Sequence, residues 1–449
     1  MTEIHQEGQF VLGMQQNADH IINNFPKAPW TPSLTLPLRA QSFVGREEDL
    51  TWLLQQLKNG SAGTTLALCG PGGMGKTALA AEVLARLVAQ KDMNSYFPDG
   101  IFYHSFYTSP SLDVAFEEVA RTFDEDPGSD MRRAAARALS RRRALLVFDG
   151  VEVLESARPL RELGGMSVVL LLSRRQTDAP DHTHRLDLGL LSQEQGITLL
   201  QHVAGSRAAD RTNVARLVRE IGGYPLALQL IGNYLISFQE DVTEYVEKFE
   251  EERLLVLQHP ELHHGDHQYL SVHLVLQRTY DSLSFLEQQI LAVIGMLAPS
   301  PFSLGLMQPI MNLSVREVRQ ALGTLVNLNL LHRPEQAYEV SHPLVHTFAT
   351  SLLMTQTTFT HKMTVWRDRL LTILTTHFDN SNLYDASTLA LWLPQVLTVL
   401  STDQAHHLNT QQRLIAARLF NDAGSYARMQ GLYTQATPLY QRALSIREQ

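Results

Sequence analysis

A parallel α/β domain followed by all-helical modules, one of them a winged helix, is the fold class this sequence predicts, and three observations carry it. "TTLALCGPGGMGKTALAAEVLARLVAQ" reads as a short apolar strand, a glycine-rich turn and a strongly helical segment. Two more short apolar runs follow, "RALLVFD" and "SVVLLLS", each long enough for a buried strand. Past about residue 178 helical periodicity takes over, which places the sheet at the front of the chain.

The chain has 449 residues, more than one hydrophobic core usually serves, so about three or four domains are expected. Its 44% hydrophobic and 18% charged composition is that of a globular protein. A net charge of -9 argues against general binding to nucleic-acid backbones or anionic lipid. No apolar run approaches the ~20 residues that span a bilayer, and the N-terminus lacks a basic region followed by an apolar core, so a cytoplasmic location is expected. The one cysteine, Cys69, reads as a buried strand residue.

Residues 1–40 read as an irregular arm. A helix is predicted after Gly45, with Leu50, Leu53, Leu54 and Leu57 at amphipathic spacing. The turn that follows the first strand carries the Walker A spacing G-x-x-x-x-G-K-[ST], complete at Gly70, Gly75, Lys76 and Thr77. Glycines at 72, 73 and 75 let backbone N–H groups curl into a nest at the positive end of the next helix, where a polyphosphate fits. Lys76 is expected to reach the β- and γ-phosphates and Thr77 to ligate Mg²⁺. Gly70, Gly72, Gly73, Met74, Gly75, Lys76, Thr77 and Ala78 are thus the expected cofactor-binding loop.

A phosphate loop needs an acid for the metal on a second strand, and "LLVFDGVE" supplies Asp149 at the strand tip. Glu152 stands either as the group that polarises the attacking water or as a solvated surface acid. The third strand ends in Ser173, Arg174 and Arg175, and one of these arginines is suited to sense a γ-phosphate.

"FVGREEDL", "GPGGMGKT", "LLVFDGVE", "LLLSRR", "LDLGLLSQEQGITLL" and "IGGYPLAL" occur here in the order found in the signal transduction ATPases with numerous domains. The chain resembles that STAND class, whose branches include NB-ARC and NACHT proteins, over roughly residues 41–351. The resemblance implies a P-loop NTPase domain (41–177), a helical domain (178–267) and a winged-helix domain (268–355), closed around ADP at rest. It implies that Val44, Gly45 and Arg46 line the adenine, that Pro225 packs on the base, that Arg174 is the sensor arginine and that His342 in "VSHPL" contacts the β-phosphate. Two departures stand out: Gly150 where NB-ARC chains carry a second acid, the spacing to Glu152 being nearer the NACHT version, and Pro343 where the family has an aspartate.

"SVHLVLQRTYDSLSFLEQQILAVIGML" and "SVREVRQALGTLVNLNLL" are amphipathic helices, and "LLHRPEQAYEVSHPLVHTFA" a hairpin entering another helix, which together make the winged helix. Its cations Arg316, Arg319 and Arg333 are offset by Glu317 and Glu335, so DNA binding is disfavoured. His259, His263, His264 and His267 read as an interdomain linker rather than a metal site, and Arg133, Arg137 and Arg141 as a solvated helix face. A helical linker (356–418) precedes a tail (419–449) in which Gly424, Gly431, Tyr433, Ala436, Tyr440, Ala443 and Leu444 take the spacing of a tetratricopeptide repeat. One such unit does not bury its own face, so either neighbouring helices serve it or the natural chain continues past Gln449.

The expectation is a nucleotide-controlled signalling switch with ATP/ADP and Mg²⁺ as cofactors: closed with ADP, open or oligomeric with ATP, a slow Mg²⁺-dependent ATPase whose tail senses a protein or peptide. The alternatives are a DNA-binding transcription regulator and a stand-alone metabolic ATPase.

Overall fold

Three apolar runs become fully buried strands because helices cover both sheet faces: β2 (Thr65–Cys69), β4 (Leu145–Asp149) and β5 (Val168–Ser173). The computed structural model describes residues 33–40, 42–90, 93–179, 184–258, 267–334, 336–378, 386–399 and 410–448. With β1 (Ser33–Leu34), β3 (Gly100–Ser105) and β6 (Arg185–Asp187) the strands form a parallel sheet in the order β1-β3-β4-β5-β2-β6. Alternate side chains feed two cores. Leu66, Leu68, Leu145, Val147, Leu170 and Leu172 meet α1 (Glu47–Asn59) and α2 (Lys76–Ala89). Ala67, Leu146, Phe148, Val169 and Leu171 meet α3 (Leu112–Thr122) and α4 (Met131–Leu139).

Helices follow. α5 (Gln193–Ala204) starts on a Ser192–Gln195 capping box, and α6 (Arg211–Ile221) ends at Gly222. α7 (Pro225–Ser237) begins with Pro225 in its first turn, where its missing N–H costs nothing. α8 (Val242–Gln258) and α9 (His267–Asp281) come next. His259, His263 and His264 lie outside the described residues, as does the side chain of His267. α10 (Phe285–Met296), α11 (Leu304–Met311) and α12 (Val315–Asn327) lead to an antiparallel sheet, order β7-β9-β8, of β7 (Phe302–Ser303), β8 (Leu331–His332) and β9 (Ala337–Val340). α13 (Pro343–Thr355) leaves this sheet.

The segment expected as a linker is packed. α14 (Thr357–Phe378) donates from Arg369 to the Ile310 carbonyl at 3.0 Å. α15 (Ala386–Thr398) buries Gln395, which accepts from Ala298 N at 2.8 Å and donates to Ser300 at 3.1 Å. The tail is an antiparallel pair, α16 (Thr410–Met429) and α17 (Tyr433–Glu448), in which Gly424 lies under the Tyr440 ring; a Cβ there would be 3.0 Å from it. The arm also departs from expectation, since its last residues are not irregular: Ser33 and Leu34 pair with Gly100 and Ile101, and Arg39 grips buried Glu82 at 2.7 and 3.0 Å.

Candidate nucleotide site

β2 ends at Cys69, whose thiol is buried and pushed up to about 11 by that burial, which suits a packing role rather than a reactive one. The glycine turn then delivers the chain into α2 with Gly75 as its N-cap at φ 88°. No side chain caps this helix and no acid sits in its first turn, so its leading N–H groups stay open to an anion. The Lys76 Nζ is buried and donates to the Gly70 and Pro71 carbonyls at 2.7 and 3.0 Å, folding over its own loop.

β4 carries Asp149 to the same rim. Thr77 donates to its Oδ2 at 2.7 Å and Tyr103, from β3, to the same oxygen at 3.2 Å. Burial raises the Asp149 pKa, opposed by the Thr77 bond and by Lys76, and burial lowers that of Lys76, opposed by Glu152 and Asp149. Thr77 and Asp149 are two oxygen donors beside a phosphate nest, a set that fits Mg²⁺ completed by phosphate oxygens and water. Among the described residues no group of three or more His, Cys, Asp or Glu is placed to hold a metal ion.

Glu152 is not a solvated acid. It accepts from Tyr107 OH and from Arg174 N at 3.1 Å, and the Arg174 Nε lies 3.0 Å from its Oε1. Arg174 also presses on the loop: a Cβ at Gly72 would lie 3.3 Å from its Cζ. Arg175 is turned away, to Asp178 and the Leu154 carbonyl, which leaves Arg174 as the arginine of the pair that faces the loop.

A cavity of about 640 Å³ opens over the loop, within the range that holds drug-sized ligands. Val44, Arg46, Gly72, Gly73, Met74, Gly75, Lys76, Thr77, Ala78, Asp149, Arg174, Pro225 and His342 all line it. Gly45, Gly70 and Glu152 do not. Gly45 instead makes a turn against Gln195, and Gly70, at φ 147°, lets the loop pass the Leu188 carbonyl. Arg46 donates to the Met74 and Gly189 carbonyls at 3.1 and 2.6 Å, so it braces the loop while facing the cavity.

The three segments converge on Gly73. Leu226 N, one residue into α7, reaches the Gly73 carbonyl at 3.4 Å, and a Cβ on Gly73 would sit 3.4 Å from Leu226 and 3.8 Å from Leu344 of α13. His342 caps α13: its Nδ1 accepts from Leu344 N at 3.1 Å. Burial, then the charges of Arg174 and Lys76, push its pKa down to about 3. The ring is therefore neutral with its proton on Nε2, a donor, although the residue keeps partial exposure to the cavity.

Tyr103 and Tyr107 escaped the sequence reading. Their signal was the run "GIFYHSFY", whose first six residues form β3, the neighbour of β4, and whose last two lie in the turn after it. Leu36, Leu38 and Arg39, assigned to the arm, also line the cavity.

No protein-family model matches the sequence. Over 329 residues, 70% of this chain, it is 26% identical to the regulatory protein AfsR of Streptomyces griseus, and over 335 residues 25% identical to AfsR of Streptomyces coelicolor. Each alignment covers 32% of the relative, so the chain spans about a third of the length of the curated relatives it matches. Among solved structures, the STAND protein with a tetratricopeptide repeat sensor from Pyrococcus horikoshii aligns with a TM-score of 0.52 at 14% identity, covering 93% of this chain and 60% of that one. The resemblance carried by the ordered motifs thus extends to the fold: this chain has the architecture of a STAND-class P-loop ATPase, a parallel sheet with a glycine loop followed by helical modules and a tetratricopeptide-type tail.

Proposed function

We propose that the chain is a nucleotide-controlled signalling switch: ADP in the cavity holds the modules closed, and ATP with Mg²⁺ favours opening or assembly once the tail has met its protein or peptide ligand. The observation that carries this reading is the meeting of the glycine loop, the start of α7 and the start of α13 around one cavity. A ligand lodged there touches segments more than 100 residues apart, so its affinity depends on how those segments are arranged, and by linkage it biases that arrangement. Adenine as the base follows the resemblance, with Val44 and Pro225 beside it and His342 donating to a phosphate oxygen. We read β7–β9 with α10–α13 as the winged-helix module, in a scaffolding role.

Thr77 and Asp149 would hold the Mg²⁺, which supplies charge neutralisation at the phosphates. Asp149→Asn should then lose Mg²⁺-dependent hydrolysis, and a variant that hydrolyses ATP at the parent rate would assign the metal to another carboxylate. DNA binding is the weaker reading, because Arg316 and Arg319 are exposed beside Glu317 while Arg333 stacks on Tyr338 at 5.4 Å. The decisive test is Lys76→Ala. Calorimetry should show ADP binding abolished and light scattering no growth in particle size with ATP; undiminished ADP affinity would remove the assignment.

A further inference from the structure

We infer that Tyr107 is a positioning residue for the triphosphate: its hydroxyl donates to the carboxylate oxygen of Glu152 nearest Arg174, and so leaves the Arg174 guanidinium ion-paired there but with its Nε–H not spent in a hydrogen bond, ready for a terminal phosphate. The inference rests on the nucleotide reading above and concerns one thing that reading leaves open, how the site tells a triphosphate from a diphosphate.

The Arg174 Nε forms an ion pair with Glu152 Oε1 at 3.0 Å, yet its N–H is out of line for a hydrogen bond and stays buried without a hydrogen-bond partner. A buried charged N–H that makes no hydrogen bond beside a carboxylate is costly, so something must hold it there. The Tyr107 hydroxyl donates to that same Oε1, and the other carboxylate oxygen takes the Arg174 backbone N–H at 3.1 Å. Glu152 is thus satisfied by its neighbours. Burial, then Glu152, raises the Tyr107 pKa, so the phenol remains a donor at any working pH.

The ring of Tyr107 meanwhile supports the guanidinium, whose Cζ lies 5.6 Å from its centroid. Below it, the cation lies against the phosphate loop, with Nε and Nη2 each 3.4 Å from the position of a Gly72 Cβ. A cation held over the loop with an unspent N–H is prepared to pair with an anion arriving there.

Gly150 belongs to the same device. It adopts φ 75°, and a Cβ on it would fall 2.9 Å from Tyr107 ring atoms. The second acid of the Walker B segment therefore stands at 152, reached through a short 3-10 turn, and the space beside Asp149 is given to the tyrosine ring.

Tyr107→Phe keeps the ring and removes the hydroxyl. Glu152 Oε1 then becomes open to a hydrogen bond from the Arg174 Nε–H, which turns to it and away from the phosphates. Titration with ADP and with the non-hydrolysable β,γ-imido analogue of ATP should show analogue affinity falling about ten- to hundredfold, the scale of one hydrogen bond to a charged group, with ADP affinity within about twofold of wild type. In a Glu152→Gln background the analogue should bind no more weakly than to wild type, and adding Tyr107→Phe should change nothing, since its effect runs through the carboxylate. Arg174→Ala is the reference that removes the preference altogether.

An unchanged analogue-to-ADP ratio in Tyr107→Phe, an equal loss of both nucleotides, or an undiminished effect of Tyr107→Phe in the Glu152→Gln background would each overturn the role of Tyr107 while leaving the nucleotide site standing. Should Tyr107→Phe not fold, the Glu152→Gln measurement decides alone, and weaker analogue binding there refutes the inference. A wild-type chain that binds neither nucleotide removes the functional reading itself and this inference with it.

Discussion

His342 ties a titration to the fold. Its folded pKa is pushed down to about 3, whereas an unfolded histidine titrates near ~6.5. Between those values the unfolded chain takes up a proton that the folded site refuses. Stability present above roughly pH 6.5 is therefore lost as pH falls, by at most ~1.4 kcal/mol per pH unit. Asparagine at 342 can still cap α13 without titrating. His342→Asn should match wild type within about 1 kcal/mol at pH 7.5 and outlast it progressively from pH 6 to pH 4. Parallel denaturation curves at every pH would show that the imidazole is not held neutral by its surroundings. With a nucleotide bound, phosphate charge opposes Arg174 and Lys76, so added ADP should shrink the pH-dependent difference.

At the scale of the element, the β4 tip and the turn after it set where acids stand. Restoring an adjacent acid by Gly150→Asp places a Cβ on a residue at φ 75° and 2.9 Å from the Tyr107 ring. The ring cannot retreat without leaving Glu152 and Arg174. The expected cost is about 1–3 kcal/mol, seen as a lower denaturation midpoint, with the analogue-to-ADP preference lost along with it. A variant of unchanged stability would mean that Tyr107 has room to move. The motif spacing pointed to this turn, while the reason for its glycine lies in Tyr107, 43 residues upstream in the turn after β3, which the motif does not contain.

Across the whole molecule, the last helix pair is fastened to the sheet domain through one buried acid. Glu117 of α3 accepts from the Tyr433 and Thr434 N–H groups at 3.3 and 3.4 Å and from the Thr434 hydroxyl, so it caps α17 from outside that helix. Arg121 pairs with Glu117 at 3.0 Å and donates to the Gly431 carbonyl. Glu117→Ala leaves those helix donors and Arg121 without their acceptor. Hydrogen exchange should quicken at residues 433–436 by the equivalent of about 1–3 kcal/mol, while β4 and β5 keep their protection. Unaltered exchange in the first turn of α17 would mean that packing alone docks the tail. Gly431→Ala tests the same seam from the other side, since its Cβ would meet Arg121 Nη2 at 2.5 Å.

Three central strands, the glycine loop and the passage from sheet to helices could be read from the chain alone, because these rest on local physics: uninterrupted apolar runs for strands buried on both faces, a fixed glycine spacing for the turn, amphipathic periodicity for the helices. The placement of Lys76, Thr77 and Asp149 on one rim was legible for the same reason, their neighbours being set by one strand-turn-helix and one strand tip. Only the tertiary structure decided the protonation of His342, the pairing of Glu152 with Tyr107 and Arg174, the entry of residues 33–39 into the sheet and cavity, and the cap that Glu117 places on α17. Each of those depends on groups brought together from distant parts of the chain, where burial and the nearest charge, not local pattern, set the state of a side chain.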